Sequence, residues 1–169
     1  MIDLAARASR ISLVLTDCDG VLTDNGVYYG EQGEVLKRFS MRDGMGVERL
    51  RNAGITTAIV TGERSESVRC RAEKLRIRAW RGVKDKAAVL DEILTEYGTS
   101  MGRVAFIGDD VNDLALMARI AADGLLGCPG DAMPDVRERV HYVTRTHGGH
   151  GAFREFAEII LKHQTAVRA

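Results

Sequence analysis

The sequence predicts an α/β fold: a parallel, doubly wound sheet covered by helices on both faces, three layers in all. Two observations carry that expectation. Short apolar runs of strand length alternate with helical patterns, the order that builds parallel sheets. The polar residues that stand out close those runs, and in open parallel sheets ligands bind outside the carboxyl ends of the strands. A chain of 169 residues fits one domain over 1–169. At that size roughly two thirds of the surface is buried without disulfide or metal staples.

Residues 12–17 read as the first strand, with Leu13, Val14 and Leu15 in the core and Asp17 at its end. GVYYGEQGEVLKRFS is a hairpin turning at Gln32-Gly33. DGMGVERLRNAG is a helix closed by Gly54, and ITTAIVTG a second buried strand that delivers Thr61. SESVRCRAEKL is a helix capped by Ser65 or Ser67, and IRAW a short strand. DKAAVLDEILTEYG is a helix with Lys86 at its start and Gly98 at its close. RVAFIGDD is the third strong strand, ending in Asp109 and Asp110, and NDLALMARI the helix after it. DGLLGC and HYVT are late strands, and GAFREFAEIILKHQ is an amphipathic last helix. Repeats, low-complexity tracts and linkers are absent from the sequence.

Composition narrows the function classes. Lys and Arg number 24 and Asp and Glu 24, so no net field favours nucleic acid or an anionic membrane. Hydrophobic residues at 45% and charged residues at 28% place the chain among soluble globular proteins. Cys18, Cys70 and Cys128 are odd in number and lack CxxC spacing. That argues against a disulfide framework or a zinc site and for a reducing compartment. No apolar run reaches the roughly 18 residues of a membrane span. MIDLAARASRIS lacks the apolar core of a signal peptide, so the expected location is cytoplasmic.

Asp17, Asp19, Asp109, Asp110 and Asp113 gather too much negative charge for one strand-end pocket without a cation. Hard oxygen ligands in that number suit Mg²⁺, which prefers one or two carboxylates, waters and a substrate phosphate. Lys86, the Thr61 hydroxyl and backbone N–H groups after Asp17 would hold the remaining charge of a phosphate dianion. An aspartate aligned on phosphorus can act as nucleophile. A second acid two residues on can protonate the leaving alcohol and later deprotonate water.

DCDGVLT resembles the DxDGxxT motif of the haloacid dehalogenase (HAD) superfamily. Thr61 in IVTGE, Lys86, and GDDVND resemble its second, third and fourth motifs, in order. DCDGVLTDNGVYYGEQGEVLKRFSMRDGMGV, GDDVNDLALM, YVT and GGHGAFREF extend the likeness over nearly the whole chain. They are similar to the small tetrameric HAD phosphatases of 2-keto-3-deoxy sugar acids. That family includes the 3-deoxy-manno-octulosonate (KDO) 8-phosphate phosphatases. The resemblance implies Asp17 as nucleophile and Asp19 as general acid/base. It implies Mg²⁺ on Asp17, the Asp19 backbone carbonyl and Asp109, with Asp110 and Asp113 acting behind them. Thr61, Gly62 and Lys86 would bind phosphate. A hairpin flap stands where other members carry a cap domain: the intervals Thr23–Thr61 and Thr61–Lys86 are too short for one. In the family, tetramer neighbours close the site, so a homotetramer is expected.

The substrate is a phosphorylated sugar acid by the same resemblance. KDO 8-phosphate phosphatases typically have arginine after the TG of the second motif, and this chain has Glu63. Its RCRAEK segment puts Arg71 and Lys74 one helical turn apart. A glutamate with an RxxK pair resembles members acting on nine-carbon acid 9-phosphates, such as that of deaminated neuraminic acid (KDN). Glu63, Arg71 and Lys74 are therefore candidate substrate contacts. The expectation leans to the nine-carbon ester, with KDO 8-phosphate as alternative. His150, where many relatives have arginine, weakens any anion contact at that position.

Plainer readings apply elsewhere. Asp24-Asn25-Gly26 is turn chemistry, Cys18 a spacer, and the His147–His150 segment a flexible glycine-rich loop. Arg42 and Asp43 either reach the site or simply start a helix. A phospho-acceptor receiver domain also gathers acids, a threonine and a lysine, but its acids adjoin at the first strand. A non-catalytic oligomerisation module would not need all these residues. A phosphomutase would need a cap to exclude water.

Overall fold

The computed structural model describes residues 4–165; residues 1–3 and 166–169 of the expected domain lie outside the described residues. Six parallel strands form the central sheet: β1 (Leu13–Thr16), β4 (Thr56–Thr61), β5 (Arg78–Arg81), β6 (Val104–Ile107), β7 (Leu125–Cys128) and β8 (Tyr142–Val143). Their order across the sheet is β5-β4-β1-β6-β7-β8. Strand β1 therefore sits between β4 and β6, at the point where the order reverses, and there a crevice opens above the strand ends.

The helices are α1 (Leu4–Ala8), α2 (Met41–Asn52), α3 (Glu66–Leu75), α4 (Leu90–Glu96), α5 (Leu114–Ile120), α6 (Pro134–Arg137) and α7 (Ala152–Thr165). They cover both faces. Val14 points into one core, among Val47 and Leu50 of α2, Val68 of α3, and Phe153, Phe156 and Ile160 of α7. Leu13 and Leu15 point into the other, among Leu90 and Ile93 of α4, Leu116 and Ile120 of α5, and Val136 of α6. The strand's period of two divides its side chains between the layers. Burying both faces is why β1 and β6 read as unbroken apolar runs. Among the described residues, no helix is long and apolar enough to cross a membrane.

A separate antiparallel pair stands outside the sheet: β2 (Thr23–Gly30) and β3 (Gly33–Phe39). Asp24-Asn25-Gly26 falls within β2 rather than ending it. The register shifts between Thr23 and Val27, Asn25 takes φ 65, and Asp24 Oδ1 accepts from the Gly26 N–H at 3.3 Å. The turn chemistry read from the sequence thus makes a bulge, which bends the hairpin towards the strand ends. Ser65 caps α3, its hydroxyl accepting from Val68 N at 3.3 Å. Helix α4 starts at Leu90, later than the pattern implied, because Asp85 turns the backbone by accepting from Ala87 and Ala88. Helices α1 and α6, one turn or little more each, carry too few residues for a periodic signal.

Candidate active site

The strand ends fix the floor of the site. Asp17 follows β1, and its N–H still donates to Ile107 O at 2.9 Å, so the sheet ladder reaches the carboxylate's own residue. Its Oδ1 accepts from the Cys18 N–H at 2.6 Å, and its Oδ2 lies 2.7 Å from Lys86 Nζ. Lys86 is 2% exposed and also meets Asp113 Oδ1 at 2.6 Å. A buried ammonium needs such partners, since leaving it bare costs several kcal/mol. Burial pulls the Lys86 ammonium down, but Asp17 and Asp113 outweigh it and the net direction is up. Asp113 Oδ2 accepts from Asp109 N at 2.9 Å and Asp110 N at 3.5 Å, so Asp113 is fully committed. Asp110 caps the turn Val111–Asp113, accepting from Val111 N at 2.6 Å.

One ammonium does not balance this floor. Burial, then repulsion from Asp113, pushes the Asp17 carboxyl up to about 7 despite Lys86. Burial, then Asp17, Asp113 and Asp110, pushes Asp109 up to about 8. Oxygens of Asp17, Asp109 and Asp113 lie within 4.8 Å of one another. With Asp113 spent on Lys86 and two amides, Asp17 and Asp109 retain oxygen to offer. The Asp109 carboxylate has a side-chain partner only in Asn25 Nδ2, at 3.5 Å, among the described residues. A Cβ at Gly20, which has φ +77, would overlap the Asp109 carboxylate. The chain therefore presses bare backbone onto this acid. This donor set fits a hard divalent cation, which would hold both carboxylates ionised.

Above the floor is a cavity of about 250 Å³ lined by Asp17, Asp19, Asn25, Tyr29, Glu34, Lys37, Thr61, Gly62, Glu63 and Asn112. Thr61 ends β4, and its hydroxyl accepts from Glu63 N at 3.2 Å. Lys37 of β3 supplies a wall: its Nζ is 2.6 Å from Asp19 Oδ1 and 3.7 Å from Glu34 Oε2. Burial lowers the Lys37 ammonium, but the Asp19 hydrogen bond and charge raise it further. Glu34 Oε1 accepts from the Ser65 hydroxyl, tying the hairpin to the loop after Thr61.

Asp17, Asp19, Thr61, Gly62, Lys86, Asp109, Asp110 and Asp113 thus converge, and Glu63 stands exposed at the rim. Arg71 and Lys74 do not join them. Helix α3 starts beside the cavity at Ser65 and rises about 1.5 Å per residue away from it. Arg71 donates instead to Ser40 O at 2.8 Å and lies 5.5 Å over the Phe39 ring, fastening the hairpin to α2. Lys74 lines a separate hollow with Gly44, Glu48 and Arg51.

Asp43 turns from the site to cap α7, accepting from Arg154 N at 2.9 Å. The His147–His150 segment is not the loose loop its glycines implied. Gly149 N donates to Val21 O at 2.9 Å, Arg38 donates to Gly149 O at 3.1 Å, and a Cβ at Gly148 would overlap the Gly20 carbonyl. Those glycines permit close packing on the loop that carries Asp19. Sequence reasoning missed Lys37, Glu34, Asn25 and Asn112. The one available signal was the strand period, which puts Lys37 on the same side of β3 as Phe39 and so turned inward.

Comparison with known proteins identifies the family and the fold. The family model of the haloacid dehalogenase-like hydrolases matches residues 45–120. The 3-deoxy-D-manno-octulosonate 8-phosphate phosphatase KdsC of Yersinia pestis is 40% identical over 163 residues, covering 96% of this chain and 86% of the relative. A crystal structure of the Yersinia pestis phosphatase superposes with a TM-score of 0.92 at 39% identity, over 99% of this chain and 90% of that one. The Moraxella catarrhalis phosphatase, crystallised with magnesium, phosphate and KDO, gives 0.90 at 34% identity, over 99% and 95%.

Proposed function

This chain belongs to the haloacid dehalogenase-like hydrolases, as a sugar-acid phosphate phosphatase with Mg²⁺ as its cofactor, and from that premise we propose that it hydrolyses KDO 8-phosphate. The observation that carries the reading is the cavity floor, where Asp17 and Lys86 meet below Thr61 and Asp19. Asp17 attacks phosphorus as the ester P–O bond breaks, and Asp19 gives a proton to the leaving sugar oxygen. Asp19 then takes a proton from water, which attacks the aspartyl phosphate, frees inorganic phosphate and restores Asp17. Thr61, Gly62 and Lys86 hold the phosphoryl oxygens throughout. Asp17, Asp109 and the Asp19 backbone carbonyl would hold Mg²⁺, which would supply positive charge for those oxygens.

The relatives and the geometry favour KDO 8-phosphate over a nine-carbon ester: of Glu63, Arg71 and Lys74, expected to meet the longer acid, Arg71 is bonded to Ser40 O and Lys74 lines a separate hollow. The relatives named above act on the eight-carbon ester. A homotetramer fits the same reading: Tyr28, Tyr29, Val35 and Leu36 stand exposed on the hairpin, and exposed apolar side chains of this kind support assembly. Sedimentation equilibrium at the tetramer mass is the expected result. Phosphate release from KDO 8-phosphate and KDN 9-phosphate, with Mg²⁺ and with EDTA and with Asp17→Asn as blank, tests the substrate. Faster turnover of the nine-carbon ester would overturn it.

A further inference from the structure

We propose that Lys37 is a positioning residue for Asp19: it takes one carboxylate oxygen so that the other meets the leaving-group oxygen of the substrate. The inference rests on the proposed function. Three observations carry it. The two oxygens of Asp19 have different surroundings. Oδ1 is 2.6 Å from Lys37 Nζ and 3.5 Å from the Thr23 hydroxyl. Oδ2 is buried and has no hydrogen-bond partner. A buried carboxylate oxygen without a partner costs free energy, which a site bears where that atom meets a group of the ligand.

Lys37 is itself unusual. Its side chain is 2% exposed although it belongs to a two-stranded hairpin whose neighbours at Val35 and Leu36 are exposed. Its ammonium does no sheet or core work; it contacts Asp19 and, more loosely, Glu34. The anchor is in turn held. Glu34 is tied to Ser65, Arg38 reaches Asp24 at 3.0 Å and Gly149, and Arg71 clamps Phe39 and Ser40 at the hairpin's base. The hairpin therefore sets the rotamer of Asp19 from outside the sheet, whereas Asp17 is set by the sheet itself.

In chemical terms, Asp19 Oδ2–H delivers its proton to the ester oxygen as the bond to phosphorus breaks and the bond from Asp17 forms. Lys37 does not touch phosphorus or the leaving oxygen. Its loss leaves attack by Asp17 intact and leaves Asp19 free to rotate, so the effect depends on how much the leaving group needs the proton.

The test is a leaving-group series that has no sugar to bind. kcat/KM is measured with saturating Mg²⁺ for 4-nitrophenyl phosphate, whose leaving group departs without a proton, and for phenyl phosphate, whose leaving group requires one. It is measured for wild type, Lys37→Met and Lys37→Gln, with circular dichroism to establish folding. General acid catalysis contributes about 10²–10⁴-fold. We expect either variant to lose at least about tenfold more on phenyl than on 4-nitrophenyl phosphate. Equal losses on the two aryl esters would overturn the inference. So would a loss confined to the sugar-acid ester, which would make Lys37 a substrate contact. Wild type inactive on every ester would instead sink the proposed function, and it is told apart because the variants play no part in that result.

Discussion

Two buried lysines serve two aspartates here, and they do so from different kinds of structure. Lys86 lies in the floor, between Asp17 and Asp113, under strand ends whose backbone ladder holds them. Lys37 lies in the wall, on Asp19, and comes from a hairpin outside the sheet. Two strands alone are marginal in water. The wall keeps its place through a few polar ties to the sheet domain. The floor follows from the fold, while the wall is an added part whose position has to be maintained. Chemistry common to any phosphate ester is expected to depend on the floor, and chemistry that varies with the leaving group on the wall.

Removing the nucleophile tests the floor most severely. Asp17→Asn should reduce turnover of every ester by roughly four orders of magnitude or more, as removal of a covalent nucleophile does elsewhere. Phosphate release checks this, and an asparagine variant with substantial activity would remove Asp17 from its role. Lys86→Met comes next. It leaves Asp17 and Asp113 facing each other without their shared cation. Breaking a buried ion pair on one side costs about 3–5 kcal/mol. Urea unfolding should show a loss of that order, whereas Lys37→Met, which leaves the less buried Asp19 and Glu34 without their ammonium at the cavity edge, should lose less. Equal losses would erase the distinction between floor and wall.

Acidity of the floor gives a third prediction with a definite sign. Asp17 is raised to about 7 and Asp109 to about 8 in the folded chain. The unfolded chain titrates these carboxyls near 4, so between those limits the folded state holds more protons. Its stability is therefore fullest below about pH 4 as far as these groups are concerned, and falls as pH rises through about 7 to 8. In EDTA the melting temperature should drop between about pH 4 and 8, levelling off above that. Mg²⁺ binds the ionised carboxylates, so its stabilising shift should grow over the same window. A Mg²⁺ shift that shrinks with rising pH would contradict the ligand assignment.

Much of the floor was legible in the sequence because strand ends are. An apolar run flanked by an acid states both that a strand is buried and where its last residue emerges, and this located Asp17, Thr61 and Asp109 on one edge of a parallel sheet. Lys86 is legible as a lysine opening a helix near the same edge, and motif order agrees; nothing local indicates that its ammonium lies between two carboxylates. The wall was harder. The strand period turns Lys37 inward with Phe39, but it does not say that the hairpin lies over the site, which depends on the bulge at Asn25. Arg71 and Lys74 misled for a similar reason. Their spacing correctly placed them one turn apart on a helix, but spacing does not say which way the helix runs, and α3 runs away from the cavity.

That last point yields the smallest expected effect and a sharp check on the wall. Lys74 is exposed and lines a hollow with Gly44, Glu48 and Arg51, apart from the cavity that holds Asp17 and Asp19. Lys74→Ala removes a solvated ammonium, and surface substitutions of this kind usually change stability by less than about 0.5 kcal/mol. kcat/KM for KDO 8-phosphate should stay within about twofold of wild type, because less than about 0.4 kcal/mol of transition-state contact is at stake. Arg71→Ala should differ. It removes the guanidinium over Phe39 and the donor to Ser40 O, so it loosens the hairpin's base and lowers activity through Lys37 and Asp19. The loss should then be larger on phenyl phosphate than on 4-nitrophenyl phosphate, the same pattern as Lys37→Met but weaker. A large loss for Lys74→Ala on the sugar-acid ester alone would show that this lysine meets the substrate's carboxylate after all. The contact would then have to come from another subunit, since within one chain α3 carries Lys74 away from the site.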